Sequence, residues 1–202
     1  KYEGNFKDGI QHGYGIIRYA NGDSYSGEWQ DQVFKNGEYK YAGGDIYIGP
    51  YDEDGRFSGK GKYKYANGDL YEGEYKNGRM NGFGKFDYAD GRKYVGNFKD
   101  DNFSGAGMFM HKDNFFYEGG FKDGDFDGKG VMEWITGDKY IGDFVAGLRE
   151  GKGTYKHISG TVYKGKFSDN EAHGKGKISY ANGDEYEGDF ENGAETGEGK
   201  LK

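Results

Sequence analysis

With 202 residues, a net charge of -7 and no cysteine, the chain excludes disulfide stapling, thiolate metal sites and cysteine nucleophiles, and it disfavours nucleic acid, which demands a cationic field. A content of 41 glycines and a mean hydropathy of -1.07 would alone describe a solvated linker, but 20 Tyr, 15 Phe and 2 Trp have no place in one. No apolar run approaches the ~18 residues that span a bilayer, and no signal-peptide core is present.

In chain order, the string Tyr-x-Gly-x-aromatic begins at Tyr2, Tyr25, Tyr47, Tyr71, Tyr94, Tyr117, Tyr140, Tyr163 and Tyr186, at steps of 22 to 24 residues and mostly 23. A Gly-x-Gly string follows each, from Gly13/Gly15 to Gly197/Gly199, except in the second repeat, where Lys35 stands in for the first glycine. The third repeat carries Pro50 inside its first string. Turn signals close the units at Asn21-Gly22-Asp23, Gly43-Gly44-Asp45, Asn67-Gly68-Asp69, Asp90-Gly91-Arg92, Gly137-Asp138 and Asn182-Gly183-Asp184, with degenerate versions at Asp113-Asn114 and Ser159-Gly160-Thr161. Such dipeptides supply the positive φ of a tight hairpin. Residues 1–202 therefore read as one continuous array of nine repeats, and the part-repeats at Lys1-Tyr2 and Leu201-Lys202 read as cuts in a longer array.

Both strings have a period of two, so each repeat is two strands and the whole is all-β, an elongated single-layer twisted antiparallel meander of about 18 strands. Parity sets the register, because directly opposed residues of an antiparallel pair share a face. A three-residue loop with Gly68 as its left-handed residue puts Tyr63 opposite Tyr71 and Gly61 opposite Gly73. It also predicts Lys60 against Glu74, Lys62 against Glu72, Lys129 against Asp143, Lys175 against Asp189 and Lys177 against Glu187, each of order ~0.5 kcal/mol. Lys152 against Lys166 is the one pairing of like sign among these.

Glycine leaves a strand nothing to pack, and an aromatic ring from a neighbouring strand can shield the bare backbone. A ladder of rings then replaces a conventional core. Its predicted members are Tyr25, Trp29, Tyr47, Tyr71, Tyr75, Tyr94, Phe98, Tyr117, Phe121, Tyr140, Phe144, Tyr163, Phe167, Tyr186 and Phe190, with any exposed remainder facing a partner. At a strand spacing of ~4.8 Å the array would be a rod of roughly 80 Å.

Catalytic and metal chemistry find no foothold. His12 and His173 occupy one repeat slot near opposite ends, and His111 and His157 lie at or near hairpin tips. Asp123-x-Asp125-x-Asp127-Gly128 begins like a calcium loop, but Trp134 stands where the closing glutamate belongs. The Gly-x-Gly strings lack the helix and the Gly-Lys-Ser/Thr of a phosphate loop. We expect no enzyme, no cofactor and no metal within these residues.

The units, typified by Tyr71-Glu72-Gly73-Glu74-Tyr75, Asn77-Gly78, Asn81-Gly82-Phe83-Gly84 and a closing Asn-Gly-Asp turn, resemble MORN (membrane occupation and recognition nexus) repeats over essentially the whole chain. His12-Gly13 and His173-Gly174 match that family's frequent His-Gly. The resemblance implies a non-catalytic scaffold with protein partners, cytoplasmic, in a cytoskeletal or ciliary (axonemal) assembly, with homodimers formed through array ends. It also implies two alternatives. One is a phosphoinositide-binding module using Lys60, Lys129, Lys152 and Lys175, which the net charge and their acidic cross-strand neighbours disfavour. The other is an accessory domain of an enzyme outside this segment.

Overall fold

The structure is a computed structural model that describes residues 1–201. Lys202, where the sequence reading cuts the last repeat, lies outside the described residues. Among those described there is no helix; there are 18 strands, in two compact units, 1–102 and from 103 onward.

The first unit contains β1 (Tyr2–Lys7), β2 (Ile10–Arg18), β3 (Ser24–Gln30), β4 (Val33–Lys40), β5 (Ile46–Pro50), β6 (Gly59–Lys64), β7 (Leu70–Lys76), β8 (Arg79–Asp87) and β9 (Lys93–Lys99). The second contains β10 (Asn102–His111), β11 (Phe115–Lys122), β12 (Asp125–Trp134), β13 (Lys139–Val145), β14 (Leu148–Lys156), β15 (Val162–Ser168), β16 (Glu171–Ser179), β17 (Glu185–Glu191) and β18 (Ala194–Leu201). Within each unit every strand pairs antiparallel with the next, so each is an all-β single-layer meander.

Two turn types alternate. Between β6 and β7, the Tyr65 N–H donates to Asp69 O at 2.9 Å and the Gly68 N–H to Tyr65 O at 3.0 Å, with Gly68 at φ +95°. This is the three-residue loop that the parity argument selected, and the register follows: Lys60 opposes Glu74, Gly61 opposes Gly73 and Tyr63 opposes Tyr71. Between β7 and β8 only Asn77 and Gly78 intervene, both at positive φ (54° and 82°), as a type I′ hairpin requires.

The two glycines of Gly-x-Gly have different jobs. Gly82, at φ +87°, sits where the β7–β8 register slips between Gly73 and Tyr75, a bulge built on left-handed backbone. Gly84 has ordinary φ, but a Cβ there would lie 2.6 Å from Tyr71 Oη. The Tyr71 ring thus covers Gly73 on its own strand as well as Gly84 on the next, whereas the sequence argument expected cover only from a neighbouring strand. The reason is that side-chain alternation puts Tyr71 and Gly73 on one face, and the ring leans along its strand. Lys35 is tolerated in the first glycine's slot because its backbone is not left-handed there, although the register still shifts between Glu28 and Trp29. Pro50, with no N–H to give, ends β5.

Candidate interaction surfaces

Each ring of the ladder is held by geometry that the spacing imposes. The repeat tyrosine meets the aromatic four residues on edge to face, at 5.1 to 5.4 Å between centroids, from Tyr25–Trp29 through Tyr186–Phe190. That second ring also meets the tyrosine of the preceding repeat, as in Tyr71–Phe98 at 4.9 Å and Tyr140–Phe167 at 4.9 Å. The tyrosine hydroxyl then donates to the carbonyl three residues on: Tyr25 to Glu28, Tyr71 to Glu74, Tyr140 to Asp143, at 2.8 to 3.0 Å. A phenylalanine could not make this bond, so the slot is tyrosine throughout. Burial raises these phenols, Tyr117 and Tyr140 to about 12.

All fifteen predicted ladder residues are buried, seven of them, including Tyr25, Tyr71, Tyr140 and Phe144, almost completely. Their rings are spent on one another and on glycine backbone. Three further members escaped the sequence reading. Tyr51 occupies the second-ring slot, and it and Tyr75 bury hydroxyls that have no hydrogen-bond partner among the described residues. Phe86 and Met132 flank the tyrosines from the returning strand.

A third element of the repeat was also missed, a lid over the tyrosine. Phe34 stacks on Tyr25 at 4.2 Å, Phe57 on Tyr47 at 3.7 Å and Phe126 on Tyr117 at 4.0 Å. The signal was the recurrence of an aromatic nine residues past Tyr25, Tyr94 and Tyr117. In the second unit that place passes to Arg149 and then Ala172. The Arg149 guanidinium lies 5.4 to 5.7 Å from the rings of Trp134, Tyr140, Tyr155 and Phe167 and donates through Nη2 to Asn170 O at 2.6 Å; burial lowers its pKa. Ala172 leaves the Tyr163 ring less covered, and a cavity of about 450 Å³ opens between Arg149, Phe167, Ile178 and Phe190.

The turn aspartates tie repeats together. Asp23, Asp45, Asp69 and Asp138 each accept through Oδ1 the N–H of Ala42, Ala66, Ala89 and Ile158, one repeat on, at 2.7 to 2.8 Å. The second oxygen takes the Tyr39 hydroxyl on Asp23 (3.1 Å) and the Tyr63 hydroxyl on Asp45 (2.8 Å). The Ala42 and Ile158 N–H groups hold the Asp23 and Asp138 carboxyls below the usual carboxylate range. Sequence reading saw these residues only as turn formers.

On the opposite face the residues on either side of each paired glycine wall a groove across the strands, with glycine backbone as its floor. In the first unit it encloses about 650 Å³ between Lys60, Lys62, Glu72, Glu74 and Lys85. In the second it encloses about 840 Å³, with Val131 and Ile141, opposed across β12–β13, toward one end, Lys164 and Lys166 of β15 toward the other, and Lys152 and Thr154 of β14 between them. Lys62 meets Glu72 at 3.4 Å and Lys175 meets Asp189 at 2.7 Å, while Lys129 pairs with Asp143. Lys177 opposes Glu187 as predicted but reaches Glu185 instead, at 2.7 Å.

Among the described residues no group of three His, Cys, Asp or Glu could hold a metal ion. Asp123 lies in a type I′ turn and Asp125 begins β12, so the three aspartates are strung along a hairpin. His157 Nδ1 is 2.7 Å from Ser159 Oγ, a local turn contact, and His173 opposes Lys166.

The family profile of the MORN repeat matches residues 2–24, 53–70, 71–91, 94–114, 117–139, 140–162, 163–185 and 186–202; the stretch 25–52, which it does not match, contains Lys35 and Pro50, two of the departures from the pattern. No curated protein matches the chain. Among solved structures, it is similar to the TCP domain of Drosophila melanogaster SAS-4 (dCPAP), in complex with a proline-rich motif of Ana2 (dSTIL), at 14% identity and a TM-score of 0.44, covering 94% of this chain and 88% of that one. It is also similar to the TCP10 domain of Danio rerio CPAP in complex with a STIL peptide, at 15% identity, a TM-score of 0.30 and 94% coverage of both chains. The tyrosine, its two glycines and the ring four residues on recur in seven of the eight matched segments, 53–70 holding only the Gly59/Gly61 string and its turn, and the chain belongs to the MORN-repeat family.

Proposed function

We propose that this chain is a non-catalytic interaction module that holds an extended protein segment along the groove of its polar face, in a cytoskeletal or axonemal assembly. The observation that carries the reading is the division of labour between faces. The aromatic face is consumed in packing, while the polar face keeps side-chain-walled grooves of about 650 and 840 Å³ open in the two units. A groove of that size accepts a peptide main chain, with alternate side chains meeting opposite walls.

Selection of binders from a displayed random-peptide library, followed by amide chemical-shift mapping, tests this. Bound peptides should shift the amides of the groove floor, Gly130, Gly142 and Gly153, and spare the turn glycines Gly147 and Gly183. An absence of binders, or shifts confined to turns, refutes it. Self-association through the ends of the array belongs to the same proposal, and sedimentation equilibrium showing only monomer at micromolar concentration would remove that clause.

A phosphoinositide site at Lys60, Lys129, Lys152 and Lys175 is the second reading. What speaks for it is Lys152, which directly opposes Lys166 on β15 rather than an acid; what speaks against it is the carboxylate held by Lys129 and by Lys175. Service as an accessory domain to an enzyme elsewhere in a longer chain is compatible with the peptide groove.

A further inference from the structure

The polar face of the second unit breaks its own pairing rule at one place. Elsewhere a lysine meets an acid across the strands, as Lys129 meets Asp143 and Lys175 meets Asp189. At β14–β15–β16, however, Lys152 directly opposes Lys166, Lys164 directly opposes Lys177, and Lys166 opposes His173. Lys139 opposes Lys156 too, but Glu133 neutralises Lys139 at 2.5 Å. Among the described residues Lys152, Lys164 and Lys166 have no carboxylate within ion-pairing distance; Asp143 reaches Lys152 only at its backbone N–H, at 3.2 Å. Like charges placed directly opposite destabilise a sheet. A local rule broken without compensation marks a site kept for something else.

The three lysines are exposed and stand on both walls of the groove, Lys152 and Lys166 on one and Lys164 on the other. Further along, the wall that carries Lys164 turns apolar at Ile141, 41% exposed, and Val131, while Lys129 stands on the other wall. The first unit's groove is compensated at the matching positions, with Lys60 against Glu74 and Lys62 against Glu72.

We propose that this cluster binds an acidic extended peptide segment, its carboxylates between Lys152, Lys164 and Lys166 and an apolar residue against Val131 and Ile141. The inference rests on the peptide-groove reading above and adds the partner's chemistry. Same-face residues of an extended chain repeat about every 7 Å and the strands lie about 4.8 Å apart, a mismatch that the long lysine stems absorb. A bilayer is the poorer occupant, since the lysines line a recess and the chain as a whole carries -7.

Fluorescence anisotropy tests it, using a labelled probe of about twelve residues in which two leucines precede alternating glutamate and serine. Wild type should bind with an affinity that falls steeply with salt. The triple variant Lys152→Ala, Lys164→Ala, Lys166→Ala should bind about tenfold or more weakly, while Lys60→Ala with Lys62→Ala stays within about twofold of wild type. Because the triple variant relieves repulsion, it should melt no earlier than wild type, which separates lost binding from lost fold. Equal binding by wild type and triple variant, or equal binding of the same probe with lysine for glutamate, overturns the inference. So does lysine-dependent binding of phosphatidylserine vesicles without binding of the probe. If library peptides bind the groove but ignore the triple variant, only this inference falls; if none binds, the underlying reading falls with it.

Discussion

Replacing Gly142 by alanine tests the ring-on-glycine principle directly. An added Cβ would lie 2.4 Å from Tyr140 Oη and 2.6 Å from both Tyr140 Cζ and Gly153 Cα, so the ring must leave or the strands must part. Tyr140 is completely buried and its hydroxyl donates to Asp143 O at 3.0 Å. Overpacking of this kind costs about 1–3 kcal/mol, and the lost hydrogen bond about 1 kcal/mol more, giving roughly 2–4 kcal/mol. The control is Gly147→Ala, in a type I′ turn at φ +83° with nothing within 4 Å of the new Cβ, which should cost only the left-handed backbone, about 1–2 kcal/mol. Urea unfolding followed by circular dichroism, with hydrogen exchange of β13 and β14 amides, reads both. Shrinking the ring in a Tyr140→Leu background should cut the cost of Gly142→Ala by about 1 kcal/mol or more, because the two sites share one volume. A Gly142→Ala protein no less stable than Gly147→Ala, with amides equally protected, would refute the reasoning.

Three further outcomes follow from the same geometry. Tyr71→Phe should destabilise by about 1 kcal/mol by losing the bond to Glu74 O, whereas Tyr75→Phe should stabilise by a similar amount, since it removes a buried hydroxyl without a partner; thermal melts check the opposite signs. The Asp138 carboxyl is held below its unfolded value of about 3.9, so its stabilising contribution is complete above that pH and is lost as pH falls through the lower folded value. Asp138→Asn should therefore flatten the stability profile below about pH 4, measured by urea midpoints across acid pH. Arg149→Ala should cost about 1–2 kcal/mol through lost contact with four rings, and Arg149→Phe should recover most of it by restoring the ring that Phe126 supplies one repeat earlier, as calorimetry would show.

The sequence by itself determined the repeat, the two strands per unit and the register, because period-two alternation and turn length leave no other parity in which both the Tyr-Gly face and the Lys-Glu face are consistent. Lys60 against Glu74 and the unfavourable Lys152 against Lys166 were both legible on that argument. Tertiary packing alone decided how each ring lies. Nothing in a string of residues says that Tyr71 folds back over Gly73 or that Asp23 reaches the Ala42 N–H, and the aromatic that recurs nine residues past Tyr25 and Tyr117 does not by itself say that Phe34 and Phe126 stack on those rings. These contacts depend on side-chain rotamers and on the offset between successive repeats, which are settled only when neighbouring strands compete for the same volume. For the same reason a lysine seen in the sequence as one of a charged row becomes a paired or an unpaired charge only once its neighbours' side chains have chosen their partners, as when Lys177 turns from Glu187 to Glu185.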